Sequence, residues 1–548
     1  MIDDILLAAE QSPFAADHHR LQWAVASVLE PDSILQLAVR DHGSERALRA
    51  ARPSAQYLAV DGVTAIEALP VATWDLIHVD GRQDADHVFR DLELAIHHGG
   101  YVLVDHHHLD RRTFLAVSEF LHRYRAELEC HWTIAGPSGH ILVKPLPGLW
   151  RAGDTGSDSA AIRHHYDRDY YLVDCGGYPE FLESRGRRLD DRLGSIAALV
   201  DLQSPQRVLD LGCGRGELAA HFARRGAEVT AVDYSRDALE LAAECLAASP
   251  GVAGRVELVC GDVTAVPIGL PYDAVVAADL VEHLAADELD AMCARVARHL
   301  APTGSFVVHS YPNRWLYERE YPRRRADAAQ LGSYLPAEPR SRFEQLMHVN
   351  ELSAPELRAC LAEHFAHVVV WAGDFADMRG TLAGARGDLY EAAPDLFAVA
   401  SHLPVDVAAL TRAVGMDPLT DREARGIDLT LVAPPEACRV GEPFEAVVRV
   451  AVDRSVVLNS NAPAPVHLSY HWLDGRGDVV VFEGERTRLL PWVAGPGAER
   501  FPVRGVAPDR PGAHVLRLTL VQEGCRWFDA GGLYVDVVLE VAGPRSAR

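Results

Sequence analysis

The fold of this chain is predicted by one stretch, which reads Arg207-Val208-Leu209-Asp210-Leu211-Gly212-Cys213-Gly214-Arg215-Gly216-Glu217. Its apolar first half is typical of a short buried strand, its three glycines of a tight turn, and residues 218–223 of a helix. A strand that runs through a glycine turn into a helix begins a nucleotide-binding βαβ unit, because glycine lets the backbone approach a ligand that a Cβ atom would repel. The next predicted strand, residues 228–232, leads to Asp233, where a carboxylate can accept hydrogen bonds from a ribose diol.

The spacing of the glycines distinguishes between two kinds of cofactor. A dinucleotide-binding turn has the pattern G-x-G-x-x-G, whereas this turn has G-x-G-x-G and continues with Glu217. A pyrophosphate bound here would meet the negative charges of Asp210 and Glu217, which is unfavourable. The sequence therefore favours a zwitterionic amino-acid ligand over a dinucleotide.

This stretch, together with Val232-Asp233-Tyr234-Ser235 at the end of the next strand, resembles the class I S-adenosylmethionine-dependent methyltransferases. The resemblance covers roughly residues 165–403 and implies a Rossmann-like α/β fold with S-adenosylmethionine as cofactor. It implies that the glycine turn holds the methionine part, Asp233 the ribose and Asp262 the adenine. The implied cofactor-binding residues are Asp210, Gly212, Gly214, Gly216, Asp233, Tyr234, Asp262, Val263 and Asp279. The alternative is a glycine turn in an unrelated α/β domain.

The candidate catalytic residues follow two later predicted strands. Asp279, Glu282 and His283 stand at i, i+3 and i+4, so on a helix they would share one face. His283 could take a proton from a substrate hydroxyl, since the pKa of histidine lies near neutrality. Tyr311 and His348 are the further candidates for this base. The segment also resembles the acidic-x-x-Glu-His element of quinone-pathway O-methyltransferases, which can hold magnesium, but Asp279 is one methylene shorter than the usual glutamate. The alternative is that these side chains only form hydrogen bonds within the domain.

A long basic and aromatic segment, residues 316–343, follows the fifth strand of this domain. Aromatic faces suit the stacking of sugars or rings, and guanidinium groups suit carboxylate or phosphate. With Pro312-Asn313 before it and His348–Glu351 after it, the region resembles methyltransferases of bacterial surface-glycan pathways, which implies a cover over the acceptor. The alternative is a solvated loop.

Residues 1–150 predict a first α/β domain, because short apolar strands alternate with helices. His78-Val79-Asp80-Gly81 and Gly99–Asp105 resemble the metal-dependent sugar O-methyltransferases. The resemblance implies magnesium at Asp80, Asp105 and the following position, but that position is His106 instead of a second aspartate. The expected cofactor turn has a single glycine, and one βα unit is missing. We therefore interpret this domain as a degenerate copy that serves dimerisation or forms one wall of the substrate site. The alternative for its histidine run is a solvated turn.

The predicted fold class is therefore two tandem Rossmann-like methyltransferase domains, the first degenerate, followed by an all-β sandwich. Residues 151–164 are a Gly/Ser/Asp-rich linker, 165–403 the second methyltransferase domain, and 404–427 a further linker. Residues 428–543 contain short alternating strands with Pro/Gly turns, which indicate a β-sandwich. They resemble immunoglobulin-like modules of bacterial polysaccharide enzymes, which implies glycan binding or assembly.

The composition indicates the cellular compartment and limits the classes of binding partner. The 548 residues carry a net charge of −25 without a long Lys/Arg block, which argues against nucleic acid or an anionic membrane as the main partner. Nine cysteines without a C-x-x-C pair indicate a reducing cytoplasm, and we expect neither a signal peptide nor a membrane span. A homo-oligomer is compatible with the sequence.

These observations predict a cytoplasmic methyltransferase of polysaccharide or small-molecule biosynthesis that methylates a hydroxyl of a sugar, glycan or related metabolite. Two alternatives stay open. One is N- or C-methylation of a natural product, because the motifs do not identify the acceptor atom. The other is a non-catalytic scaffold that gathers a biosynthetic complex.

Overall fold

The computed structural model describes the chain except for residues 38–41, 61–72, 82, 109, 135–138, 147–161, 250, 270, 385–388, 454–455 and 544–548. Most of the predicted linker 151–164 lies outside the described residues. The chain divides into two compact units: residues 1–176 with 317–349, and residues 177–316 with 350–548. None of the described helices is both long and apolar enough to cross a bilayer.

The first unit is built on a six-stranded mixed sheet. Its strands are β1 Ser33–Leu37, β2 Gln56–Val60, β3 Trp74–Asp80, β4 Gly99–Asp105, β5 Leu128–Ile134 and β6 His140–Pro145. They are ordered β2-β1-β3-β4-β6-β5; β1 to β4 pair in parallel, and β6 is antiparallel to both its neighbours. The accompanying helices are α1 Ile2–Glu10, α2 Asp17–Leu29, α3 His42–Ala51, α4 Ala85–His98 and α5 Arg111–Arg123. Asp84 and Asp110 start α4 and α5 by accepting hydrogen bonds from backbone N–H groups of the first turn.

The second unit contains a seven-stranded mixed sheet. Its strands are β7 Arg207–Leu211, β8 Glu228–Asp233, β9 Val256–Cys260, β10 Tyr272–Ala278, β11 Leu300–Ser310, β12 His367–Gly373 and β13 Asp395–Ser401. Their order is β12-β13-β11-β10-β7-β8-β9; β7 to β11 pair in parallel, and β13 is antiparallel to both its neighbours. The helices before residue 317 are α6 Tyr178–Ser184, α7 Asp191–Asp201, α8 Glu217–Arg224, α9 Arg236–Ala247 and α10 Ala286–His299. This mixed, Rossmann-like sheet confirms the predicted α/β fold of the domain.

The two α/β sheets share one strand order. The run β2-β1-β3-β4-β6-β5 corresponds strand for strand and direction for direction to β8-β7-β10-β11-β13-β12. The second sheet has one more parallel strand, β9, at its edge, and β9 has no counterpart among the described residues of the first unit. Residues 61–72, between β2 and β3, lie outside the described residues, so the missing βα unit stays a prediction.

The basic and aromatic insertion belongs to the first unit, although the chain enters it from the second. Residues 317–349 contain α11 Tyr321–Gln330 and α12 Arg342–Met347, helices that the sequence did not predict. The Nη2 atom of Arg325 lies 2.5 Å from Asp86 Oδ2, and the Tyr334 hydroxyl donates to Asp86 Oδ1 at 2.8 Å. The role of this segment as an acceptor cover stays a prediction.

The C-terminal part of the second unit is rich in β-structure. The helices α13 Ala354–Ala362, α14 Leu389–Ala392, α15 Val407–Val414 and α16 Asp421–Ala424 precede it. Its strands are β14 Ile427–Ala433, β15 Cys438–Arg439, β16 Pro443–Val452, β17 Val457–Leu458, β18 Val466–Asp474, β19 Val479–Val481, β20 Thr487–Arg488, β21 Val493–Ala494, β22 Gly497–Val506, β23 Gly512–Gln522, β24 Arg526–Trp527 and β25 Tyr534–Ala542. The sheet β14-β16-β22 and the sheet around β18, β23 and β25 contribute to one core, in which Phe444 contacts Tyr470 and Trp472 edge to face.

The turn after β7 requires glycine at Gly216. Its φ of +77° is a backbone conformation that other residues rarely adopt, and an added Cβ atom would lie 2.7 Å from the Cβ atom of Ala242 on α9. This close approach fixes α8 against α9 directly below the turn. Gly216 is therefore a packing position as well as a turn position.

We predict that Gly216→Ala lowers the free energy of unfolding of the second unit by about 2–5 kcal/mol, the sum of left-handed strain and overpacking. Gly251→Ala is the matched control, because Gly251 has a φ of +83° but nothing within 4 Å of an added Cβ atom. It should lose only the strain, about 1–2 kcal/mol. Denaturant unfolding of both variants measures the difference, and equal losses would contradict the packing role.

Candidate active site

The candidate site lies at the carboxyl ends of β7, β8 and β10. Leu211 of β7 pairs with Ala277 of β10, so Gly212 and Asp279 follow neighbouring strand ends. The chain runs from β7 to β8 and β9 on one side and then returns to β10 on the other. Such a reversal opens the crevice in which α/β sheets bind ligands.

The carboxylate of Asp233 fastens the glycine turn to the end of β8. One oxygen accepts the N–H of Gly214 at 3.0 Å, and the other accepts the N–H of Ser235 at 2.9 Å. The N–H groups of Gly212 and Cys213 both donate to the Val232 carbonyl, at 2.9 and 3.0 Å. A carboxylate offers about four acceptor positions, so Asp233 can hold the turn and still accept hydrogen bonds from a ligand.

Asp210 lies fully buried beneath this turn. Burial, followed by the negative charge of Asp233, raises the pKa of Asp210 to about 7. One of its carboxylate oxygens has no hydrogen-bond partner within the described part of the chain. A buried, unsatisfied carboxylate is costly, and the cost is highest when the group is ionised.

The charge of Glu217 is compensated, which the sequence did not indicate. The guanidinium of Arg215 lies 2.9 Å from a Glu217 oxygen, both side chains are buried, and the guanidinium also stacks over the ring of Phe181. Burial raises the pKa of Glu217, although Arg215 opposes this shift. The sequence argument against a pyrophosphate is therefore weaker at Glu217 than at Asp210.

The residues predicted to hold the adenine follow β9. Asp262 accepts the N–H and the hydroxyl of Thr264 at 2.8 and 2.6 Å, which fixes the orientation of its carboxylate. Val263 is buried beside it, and Tyr234 is half-buried after β8. The structure thus places these residues at neighbouring strand ends, and their adenine-binding role stays a prediction.

The expectation that Asp279, Glu282 and His283 share a helical face is wrong. Asp279 has a φ of +50° and lies outside the short 3₁₀ turn Val281–His283, so helical spacing does not apply. The buried Glu282 instead accepts the Ser310 hydroxyl at 3.0 Å. These three residues do not form a cluster of metal-ligating atoms in the part of the chain that the structure describes.

A buried histidine that the sequence analysis missed connects two carboxylates at this edge. The Nδ1 atom of His309 lies 2.6 Å from Asp279, and its Nε2 atom lies 3.1 Å from Asp395. Arg192 of α7 forms an ion pair with the other oxygen of Asp279. The sequence offered one sign of this site, the polar pair His309-Ser310 at the end of an apolar strand. The residues that these side chains contact lie in distant segments of the sequence.

The three candidate bases do not all lie in one unit. His283 is half-buried in the 3₁₀ turn after β10, and Tyr311 is partly exposed immediately after β11, so both follow strands of the crevice. His348 belongs to the first unit, with the insertion. The roles of all three residues stay predictions.

The predicted metal ligands lie together in the first unit. Asp80, Asp105 and His106 are buried, and one ligand atom of each lies within 4.8 Å of the others. Burial opposes ionisation of Asp105, but His78 and His106 hold the pKa of its carboxyl well below the usual range. The three predicted ligands are therefore close together, in the unit that does not contain the glycine turn, and their binding of a metal stays a prediction.

Comparisons with known proteins agree with the site. Residues 208–304 match the model of a methyltransferase domain. The mitochondrial ubiquinone biosynthesis O-methyltransferase of Schizosaccharomyces pombe is 38% identical over 81 residues, which are 15% of this chain and 30% of that protein. The ubiquinone biosynthesis O-methyltransferase of Alkalilimnicola ehrlichii is 36% identical over 129 residues, 22% of this chain and 48% of that protein.

The chain thus spans less than half the length of these curated relatives. Among solved structures, the glycopeptide N-methyltransferase MtfA complexed with S-adenosyl-L-homocysteine is 28% identical, with 26% of this chain and 64% of that chain covered and a TM-score of 0.22. The matched segment, residues 208–304, is a methyltransferase domain. It contains the glycine turn, Asp233, Asp262 and His283, and it confirms the predicted enzyme class and cofactor.

We predict that Asp210→Asn removes a pH dependence of stability. The pKa of Asp210 rises from 3.8 in the unfolded chain to about 7 in the folded one, so its contribution to stability is lost as pH rises between about 4 and 7. The melting temperature of Asp210→Asn minus that of the wild type should grow over that window and level off above it. The corresponding change in the free energy of unfolding is at most about 4 kcal/mol. Calorimetry of the ligand-free protein measures it.

The matched control is Glu240→Gln, since Glu240 is exposed on α9. Its difference from the wild type should stay constant with pH. A constant difference for Asp210→Asn as well would show that Asp210 is not the group that titrates.

Proposed function

We propose that this protein transfers the methyl group of S-adenosylmethionine to a hydroxyl oxygen of a sugar, glycan or related small metabolite. The observation that carries the proposal is the glycine turn held by Asp233 at the reversal point of the second sheet. The two ubiquinone biosynthesis relatives described above are named as O-methyltransferases, which supports oxygen as the acceptor atom.

Each cofactor group has a proposed partner in the crevice. Asp233 accepts hydrogen bonds from the ribose diol, and Asp262 meets the adenine amino group beside Val263 and Tyr234. The positive φ values of Gly212, Gly214 and Gly216 keep the turn free of side chains where the methionine part lies. Asp279 is held at the edge of the crevice by His309 and by an ion pair with Arg192.

The reaction is an in-line displacement at the sulfonium methyl group. An acceptor oxygen forms the new C–O bond while the S–C bond breaks and its electron pair stays on sulfur, which gives S-adenosylhomocysteine. The acceptor proton passes to a base, for which His283 is the first candidate and Tyr311 the second. The protein mainly positions the reactants, and removal of the proton adds a smaller factor.

The lining of one cavity in the first unit fits a ligand with a ring and an acidic group. The insertion and α5 line a cavity of about 340 Å³ in the first unit, with Tyr317, Tyr321 and Tyr334 as aromatic walls. Arg112 and Arg325 border the same cavity. Aromatic faces with guanidinium groups suit sugars that carry phosphate or carboxylate.

The remaining parts of the chain have proposed supporting roles. The strand order that the first sheet shares with the second supports a methyltransferase-like copy in residues 1–150, and the single glycine after β1 supports its being degenerate. The common core of two sheets supports an immunoglobulin-like module at 428–543 for glycan binding or assembly. We also propose a cytoplasmic enzyme without nucleic-acid partners, in keeping with the net charge of −25. N- or C-methylation and a non-catalytic scaffold remain the competing functions.

The competing functions are separated by a methyl-transfer screen of nucleotide-linked sugars and glycan fragments. Mass spectrometry should find a product about 14 mass units heavier than the acceptor, because methylation replaces H by CH₃. Fragmentation then identifies the methylated atom, so an N- or C-methyl product would overturn the proposed acceptor. A chain that binds no S-adenosylmethionine at all would favour the scaffold.

We predict that Asp233→Ala weakens binding of S-adenosylmethionine at least about 100-fold, because two hydrogen bonds to a charged group cost about 3 kcal/mol or more. Titration calorimetry on the full chain measures the dissociation constant. Glu240→Ala on α9 is the control and should bind as the wild type does. Unchanged affinity in Asp233→Ala would contradict the ribose role.

We predict that His283→Gln lowers kcat by about 10²–10⁴-fold and leaves the dissociation constant of S-adenosylmethionine unchanged, because only proton removal is affected. The loss should diminish as pH rises and the acceptor hydroxyl ionises without help. A loss confined to cofactor binding, or no loss, would transfer the role to Tyr311, which Tyr311→Phe then tests.

A further inference from the structure

The buried cluster of the first unit has a regular geometric origin. Asp80 of β3 pairs in register with Asp105 of β4, and Asp105 pairs with His140 of β6. Residues in register on adjacent strands point to the same face of a sheet, so the three side chains form a row across it. His106 follows the middle member, with a φ of +55° that turns the chain directly after the row.

The donor atoms of the cluster are spaced as the ligands of one ion would be. The Nδ1 atom of His106 lies 3.1 Å from Asp105 Oδ1 and 4.0 Å from Asp80 Oδ1. Neither His106 Nδ1 nor Asp105 Oδ1 has a properly aligned hydrogen bond within the described residues. Two atoms bound to one tetrahedral Zn²⁺ at about 2.0–2.2 Å are about 3.3 Å apart. The 3.1 Å contact matches that separation.

The second carboxylate oxygen of Asp105 is fixed by two other buried side chains. His78 Nε2 lies 3.1 Å from Asp105 Oδ2, and the amide of Gln22 donates to the same atom. The Gln22 amide also donates to the Ser44 hydroxyl at 3.0 Å. One carboxylate oxygen is thus fixed by buried side chains while the other faces His106, which is how protein groups orient a metal-binding carboxylate.

The environment of His140 is an independent observation that points to a bound ion. Its side chain is fully buried, yet neither ring nitrogen has a hydrogen-bond partner within the described residues. Buried polar groups without a partner are rare and call for an explanation, such as an ion. The rings of His140 and His106 are 6.4 Å apart. Two imidazoles on one tetrahedral Zn²⁺ have centroids about 5 Å apart, so the two rings would approach each other by more than about 1 Å when they share an ion.

We propose that the first unit binds one zinc-class divalent transition-metal ion through Asp80, Asp105, His106 and His140. The family resemblance implies magnesium here, and these residues do not fit it. Magnesium demands oxygen ligands in near-octahedral geometry and retains several waters, whereas this cluster is buried and offers two imidazoles. Two carboxylates with two imidazoles suit four-coordinate Zn²⁺.

The proposed ligands all belong to the first unit, and the test reads metal binding alone. Tag-free full-length protein is purified without added metal, and its zinc and magnesium contents are measured by plasma emission. After chelation, Zn²⁺ and Mg²⁺ are titrated by calorimetry. We expect one zinc site per chain, at least about 100-fold tighter for Zn²⁺ than for Mg²⁺. Co²⁺ should give the intense visible bands of a tetrahedral ion.

Two variants test the histidine ligands, and a third is their control. His140→Ala should weaken Zn²⁺ binding about 10–100-fold or more, and His106→Asp should narrow the preference for Zn²⁺ over Mg²⁺ by supplying a third carboxylate. His131→Ala, exposed on β5, is the matched control and should bind as the wild type does. Circular dichroism checks that each variant folds; if His140→Ala does not, the His106→Asp preference and the wild-type Co²⁺ spectrum still decide. Tighter binding of Mg²⁺, or Zn²⁺ binding that no variant changes, would overturn the proposal.

Discussion

The carboxylate of Asp233 is the constraint on which the candidate site depends. By accepting one backbone N–H from the glycine turn and one from the start of α9, it joins the ends of β7 and β8 through a single side chain. The glycines allow the backbone conformation of the turn, but glycine alone does not hold the backbone in that conformation. The hydrogen bonds to a charged acceptor supply that position, and the ligand-binding face of the turn follows from it.

Negative charge concentrates at this end of the second sheet. Asp210 lies beneath the turn and Asp233 behind it, whereas Glu217 is paired with Arg215 and Asp279 with Arg192. The repulsion between Asp210 and Asp233 that raises the pKa of Asp210 would be relieved by a nearby cation. A sulfonium donor is cationic before transfer and neutral at sulfur afterwards, so such a crevice would favour the donor over the spent product.

Local features of the sequence predicted most of the α/β architecture. The strand–turn–helix at residues 207–224 and the strand Val256–Cys260 were located closely because their signals are short apolar runs bounded by glycines and caps. The His309 bridge and the Arg192 ion pair could not be predicted, since each joins segments far apart in the sequence. The positive φ of Asp279 was missed for another reason: i, i+3 spacing was assumed to mean a helix.

The insertion has a consequence for how the chain can be divided. Because residues 317–349 pack with the first unit but lie between strands of the second, the polypeptide crosses between units three times. A fragment beginning after residue 176 would carry Tyr334 and Arg325 without Asp86, their partner. It would expose an aromatic surface that the intact chain buries. Poor solubility of such a truncated enzyme would reflect an orphaned helix rather than an unstable methyltransferase core.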